Sequence, residues 1–191
     1  AGSPLRELEL AMWDWPKPPG RPSGAPIINA RLEKLAERFW VGAFSNSRAL
    51  VPMSGYVEWT GEKGDKQPHY LHGDGLLAAA ALTWTVDVDG RRQRVFVVVT
   101  REARDASGEV HDRMPAFLEE DLWDQWLSPE PLTVQGRPEE SARRRAELLE
   151  QLEASSAAIA STIRTRLVDR RINNSRTVDP YDPTIIDPLP A

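Results

Sequence analysis

Two apolar runs on either side of an Asp-Gly pair constrain this chain more than any other feature. Leu76 to Val88 and the valine-rich stretch Arg94 to Thr100 flank Asp89-Gly90. An Asp-Gly pair accepts the positive φ angles of a tight hairpin turn, so the runs read as neighbouring antiparallel strands. His69 to His72 reads as a further strand, joined to Leu76–Val88 by a Gly73-Asp74-Gly75 turn. Ala49 to Trp59 reads as strand, kink and strand, with Gly55 at the kink and a polar turn, Glu62 to Gln67, after it. Helical spacing covers Arg31 to Trp40, with Leu32, Leu35, Ala36 and Phe39 on one face. A short helix is expected over Leu118 to Leu127, turning Leu122, Trp123 and Trp126 inward, and a long one over Pro138 to Arg166, carrying Leu148, Leu149, Leu152 and Ile159. Trp13 to Pro26 is too rich in Pro and Gly for a helix and reads as a wrapped loop, and Thr177 to Ala191 as an extended, proline-rich tail. Trp40, Trp84, Trp123 and Trp126 are assigned to the core. The sum is one α+β domain, residues 1–191, around an antiparallel or barrel-like sheet.

Composition narrows the function classes. The hydrophobic share is 40% and the charged share 28%, which suits a soluble globular domain. The longest apolar run, Leu76 to Leu82, is far too short to span a bilayer, and no signal-peptide pattern opens the chain. The expectation is a cytoplasmic protein that does not engage a membrane. A net charge of −5 argues against a binder coated in positive charge, while Arg91-Arg92, Arg143 to Arg145 and Arg170-Arg171 leave room for a local basic groove. With no cysteine, disulfides and thiolate metal sites are excluded. His69 and His72 lie close together on one strand with no third ligand near them in sequence, so no metal is expected. P-loop, dinucleotide and Gly-x-Ser-x-Gly patterns are absent, and no cofactor is expected.

Chemistry concentrates in Val110-His111-Asp112-Arg113-Met114-Pro115-Ala116. His111 can move protons near neutral pH, or can be a loop histidine bonded to backbone. Glu58 sits among Tyr56, Val57 and Trp59. A carboxylate there is costly unless paired and tends to hold its proton, or else it faces outward by strand alternation. Asn29 either caps the following helix or holds a substrate, with Arg31 on a phosphate. Arg113 is a second candidate phosphate contact, and Trp13 and Trp15 are candidate stacking platforms for nucleobases.

Four blocks in order, Asn29-Ala30-Arg31-Leu32-Glu33, Gly55-Tyr56-Val57-Glu58-Trp59, Lys66-Gln67-Pro68-His69-Tyr70 and His111-Asp112-Arg113-Met114-Pro115, resemble the SOS-response-associated peptidase (SRAP) family. Ile172-Asn173-Asn174 and Ile185-Ile186-Asp187-Pro188 are similar to its closing segment. The resemblance implies a twisted, barrel-like, mainly antiparallel sheet with flanking helices and a positively charged groove for single-stranded DNA. It implies abasic-site processing, in which an N-terminal cysteine captures the ring-opened sugar as a covalent crosslink. Asn29 would orient the nucleophile, Glu58 would shuttle protons, and His111 would act as acid on the sugar oxygen. Arg31 and Arg113 would hold flanking phosphates. The implied partner is single-stranded DNA with abasic sites, met by a monomer that is nucleoid-associated when bound.

This chain departs from the pattern by having no cysteine. It opens on Ala1-Gly2-Ser3-Pro4, which points to an N-terminally truncated member. The alternatives are a divergent member using an amine alone as a Schiff-base lyase, and a noncatalytic single-stranded-DNA-binding or interaction module on the same scaffold. A hydrolase using Glu58 and His111 on another substrate is a third class. Residues 137–166 read as a helical insertion, a solvated brace or a partner surface.

Overall fold

The computed structural model describes residues 6–18, 24–103 and 110–189. The opening Ala1-Gly2-Ser3-Pro4 and part of the Trp13–Pro26 loop lie outside the described residues. Six strands form one mixed sheet: β1 (Asn29–Arg31), β2 (Arg48–Thr60), β3 (Gln67–Val88), β4 (Arg91–Glu102), β5 (Arg113–Pro115) and β6 (Arg164–Leu167). The central order is β1-β4-β3-β2, with β5 also on β4 and β6 also on β3. Only β1 and β4 run parallel; the other pairs are antiparallel. The helices are α1 (Val41–Asn46), α2 (Trp123–Trp126) and α3 (Pro138–Ala160). This is the expected α+β domain, and its sheet stays open, with β1 and β2 at the ends of the central path. Among the described residues no helix is long and apolar enough to cross a membrane.

The Asp89-Gly90 hairpin forms as expected. Asp89 has φ 53° and Gly90 φ 76°, the pair of positive angles that lets a two-residue turn match the twist of its strands. Strand alternation in β4 then splits the core in two. Val95, Val97 and Val99 join Trp40, Phe44, Trp126, Leu148 and Leu152 on one face. Phe96 and Val98 join Leu71, Leu77, Ala79, Met114, Phe117 and Ile163 on the other. A strand buried on both faces must be apolar at every position, which is why this stretch reads as an unbroken valine run.

Three secondary-structure expectations are corrected. The Gly73-Asp74-Gly75 stretch is no turn between strands. β3 runs continuously through it, and the register against β2 jumps from Met53↔Leu77 to Gly55↔His72, an irregularity that bends the ribbon. Gly55 is required at that bend, because a Cβ there would lie 2.5 Å from both the Leu71 carbonyl oxygen and the Tyr70 ring. The Arg31–Trp40 helix is replaced by a short 3-10 turn, Leu32–Lys34, and further turns before α1. Trp40 is buried against Trp15 at 5.2 Å while Ala36 and Phe39 stay exposed, so the buried set is not the helical stripe. The long helix stops at Ala160 rather than Arg166. Thr162 turns its hydroxyl back onto the Ile159 carbonyl at 2.8 Å, and Arg164–Leu167 leaves to pair with His69–His72.

Helix α3 packs by one face on the core and leaves the other to solvent. Leu148 and Leu152 enter the core, and the Ser155 and Ser156 hydroxyls accept from the Glu119 and Phe117 backbone N–H groups at 2.8 and 3.1 Å. Arg48 ties α1 to the chain that follows α2. Its Nε donates to the Trp126 carbonyl at 2.7 Å, Nη1 to Phe44 at 2.9 Å and Nη2 to Ser128 at 2.6 Å. One guanidinium thus closes the end of α1 and the loop after α2. Trp84 departs from its core assignment, being 45% exposed, whereas Trp40 and Trp126 are buried.

Candidate functional site

The two-faced sheet brings the polar blocks together. Ala30 is wholly buried in the first apolar cluster, so Asn29 and Arg31 project on the opposite face of β1. Asn29 is opposite Val98, a member of the second cluster. Tyr56 packs on Phe117 of that same cluster at 6.0 Å, and Glu58, two residues on, leaves β2 on the same face. Asn29, Arg31 and Glu58 therefore share one face of the sheet.

His111 is carried to this face by the wedge of chain that it precedes. Residues 113–118 run between β3 and β4: the Ala116 N–H donates to the Val99 carbonyl, and the Ala80 N–H donates to the Ala116 carbonyl, both at 2.8 Å. The His111 Nε2 lies 4.0 Å from Glu58 Oε2, with the Glu58 side chain 23% exposed and the imidazole 43%. The other ring nitrogen is held by backbone. The Arg113 N–H donates to Nδ1 at 3.0 Å, which places the proton of the neutral ring on Nε2, toward Glu58. When protonated, Nδ1–H has the Arg113 carbonyl at 3.1 Å and the Asp112 carboxylate at 3.3 Å to donate to. The imidazole is thus held in both charge states.

Burial pushes the Glu58 carboxyl above the ordinary glutamate range. His111 and Lys66 pull it back, while Asp112 adds to the rise. A carboxyl that keeps its proton longer than usual beside an imidazole offering Nε2–H makes a pair able to pass protons to and from a third group between them.

The flanking cations differ in availability. Arg113 forks onto Glu33, Nη1 to Oε1 at 2.9 Å and Nη2 to Oε2 at 3.2 Å, and Nη2 also donates to the Thr100 carbonyl at 2.6 Å. Burial raises the Glu33 carboxyl, but the Arg113 hydrogen bond and the charges of Arg113 and Arg31 outweigh it and hold the group below its usual value. The Arg31 residue is exposed and forms no ion pair among the described residues. The Asn29 side chain is likewise exposed and makes no hydrogen bond among them.

Trp13 is 50% exposed, its indole N–H donating to the Ile28 carbonyl at 2.7 Å and its ring stacked on Phe96 at 6.0 Å, so one ring face is left open. Trp15, expected as a second platform, is only 8% exposed, wedged against Trp40 and Trp84, and has no face to offer. A separate cavity of about 630 Å³ lies under residues 6–11 against Ala49, Val51, Ala81, Thr83 and Phe96, and includes neither Glu58 nor His111.

Two participants escaped the sequence reading. The Glu33 partner of Arg113 is 80 residues away. His69, set aside as an ordinary strand histidine, lies directly opposite Glu58. The polar turn 62–67 carried the signal for it, because antiparallel partners across one turn keep a constant sum of residue numbers until a bulge intervenes.

Comparison with known proteins bears on the family and the fold. The family model described as SOS response associated peptidase (SRAP) matches residues 2–175. The abasic site processing protein YedK of Escherichia coli (strain K12) is 31% identical over 119 residues, covering 61% of this chain and 54% of that protein. The abasic site processing protein HMCES of Xenopus tropicalis is 26% identical over 116 residues, covering 49% of this chain and 35% of that one. The chain thus spans about half the length of its bacterial relative. Among solved structures, a phage-related protein of Bordetella bronchiseptica superposes with a TM-score of 0.62 at 30% identity, over 84% of this chain and 70% of that one. A Bacteroides thetaiotaomicron protein superposes at 0.63 with 22% identity, over 85% and 66%, and speaks for the fold alone. Its sequence blocks, its sheet and the family match agree that this chain belongs to the SOS response associated peptidase family.

Proposed function

We propose that this protein binds single-stranded DNA and processes abasic sites in it, with the open sugar's aldehyde received between Glu58 and His111. The observation that carries this reading is the 4.0 Å approach of His111 Nε2 to Glu58 Oε2, with Nδ1 clamped by backbone. Capture of an aldehyde by an amine forms a C–N bond and expels water. Two protons leave the nitrogen and two reach the departing oxygen, one of each in forming the carbinolamine and one of each in dehydrating it. Glu58, as the carboxylate, is suited to take each proton from nitrogen, and His111, as the imidazolium, to give Nε2–H to the sugar oxygen while Nδ1–H stays on the Arg113 carbonyl. Asn29, on the same face, is proposed to orient the attacking amine. Arg31 is proposed to contact a flanking phosphate directly, and Arg113 to reach one by trading the Glu33 carboxylate for it. The free face of Trp13 is proposed as a stacking platform for a base.

A second reading is favoured by the absence of cysteine, which rules out a thiol-dependent crosslink in these 191 residues. On this reading the chain binds single-stranded DNA without capturing it. Borohydride trapping on an abasic single-stranded oligonucleotide separates the two. Covalent capture that is lost in His111→Ala and Glu58→Gln supports processing. Binding that weakens with salt and gives no capture supports the module. No salt-dependent binding of either abasic or intact strands overturns both.

A further inference from the structure

The boundary between the second apolar cluster and solvent falls on one row of the β2–β3 ribbon. One step inward, Tyr56 and Leu71 are paired, with Leu71 wholly buried. One step outward, Thr60 and Gln67 are paired where the turn begins. Between them Glu58 is paired directly with His69, and Leu167 of β6 flanks His69 on its far side. Directly opposed residues of an antiparallel pair leave the same face with Cβ atoms about 4.5–5.5 Å apart. The His69 and Glu58 side chains therefore leave the sheet as neighbours on one face.

Thr60 fixes that ring, since its Oγ1 is 2.8 Å from His69 Nε2. A hydroxyl both donates and accepts, so the contact suits either tautomer. Burial pushes the His69 imidazole down from its usual value, so the ring is uncharged at neutral pH. The charged groups acting on Glu58 lie elsewhere: His111 and Asp112 on the loop before β5, and Lys66 before β3. What remains for His69 to contribute is bulk without charge, at the point where the largest influence on Glu58 is exclusion of water.

We propose that His69 is a positioning residue for Glu58, its Thr60-anchored ring forming the β3-side wall that keeps water from the carboxyl. The role deepens the reading of Glu58 as the proton-handling group and rests on it. The wall needs the bulk of a flat ring, and the Thr60 hydrogen bond only sets its tilt, so phenylalanine serves and a short side chain does not. A lysine at the same place would draw the Glu58 proton off.

The test follows the Glu58 carboxyl directly, by carbon NMR titration of the whole chain as wild type, His69→Phe, His69→Ala and His69→Asn. Phenylalanine is expected to keep the raised midpoint, and alanine and asparagine to let it fall toward the ordinary glutamate value. An unchanged midpoint in both short variants overturns the proposal. So does a fall with phenylalanine as large as with alanine, because the ring nitrogens and not the wall would then matter. If alanine does not fold, asparagine against phenylalanine decides on the same terms. A Glu58→Gln variant that still captures abasic DNA at the wild-type rate would overturn the functional reading while leaving the titration result standing.

Discussion

Arg48 and the Glu58–His111 pair are two ways of handling polar groups, each at the edge of one of the two apolar clusters. Arg48 is partly buried and spends its donors on the carbonyls of Trp126, Phe44 and Ser128. Desolvation weakens its hold on the proton, yet an arginine stays charged, so the network does not change with pH. Glu58 and His111 are left at 4.0 Å, outside a short hydrogen bond, and open to a third group. Where every bond is made, a buried polar group fastens the fold; where bonds are withheld, it can do chemistry at some cost in stability.

The comparison breaks first at Arg48. Arg48→Ala strips the end of α1 and the loop after α2 of their donors, and is expected to cost about 3 kcal/mol by denaturant unfolding, since buried carbonyls are left without partners. A loss below about 1 kcal/mol would mean that water replaces the guanidinium freely. His111→Ala reverses the pattern. Capture of abasic DNA should fall by roughly 100-fold, the usual contribution of a positioned acid, while stability moves by no more than about 0.5 kcal/mol. A large stability loss there would place His111 in Arg48's class.

Glu58→Gln sharpens the contrast through pH. Folding favours the protonated carboxyl, because its pKa in the folded chain is raised above the ordinary glutamate value. That contribution is whole below the unfolded value and is lost as pH rises through the raised one. Relative to the glutamine variant, the wild type should therefore lose stability with rising pH across this window, because the lowered carboxyls such as Glu33 contribute equally to both. Melting temperatures of both proteins across the window test this, and parallel curves would remove the buried-carboxyl account. The smallest effect is expected at Arg31, where Arg31→Ala should leave stability alone and flatten the salt dependence of DNA binding by about one unit. An unchanged slope would take Arg31 off the list of phosphate contacts.

Sequence legibility follows the range of the force that decides each element. Asp89-Gly90 needs only its own φ angles, and the hairpin was readable from two residues. The bend at Gly55 is set by the Tyr70 ring and the Leu71 carbonyl across the strand, yet the glycine announced it. Gly73-Asp74-Gly75 has the composition of a turn, but pairing with β2 on both sides of it and with β6 before it keeps the strand continuous, and neither partner is visible locally. At Leu32 to Trp40 the helical spacing is real and loses to the burial of Trp40 against Trp15. Glu58 and His111 were legible as a charge among apolar residues and as a dense polar block. The fork of Arg113 on Glu33 was not, because nothing in a lone arginine says which carboxylate will meet it.

The backbone clamp on the His111 ring has a kinetic consequence. When the imidazolium gives up Nε2–H, the proton left on Nδ1 keeps the Arg113 carbonyl at 3.1 Å as its acceptor, with no change of neighbours. In water the same transfer would require the surrounding dipoles to turn around. Here the accepting carbonyl belongs to the chain beside the ring and is already aimed at it, so little of the barrier to proton transfer is spent on turning that dipole.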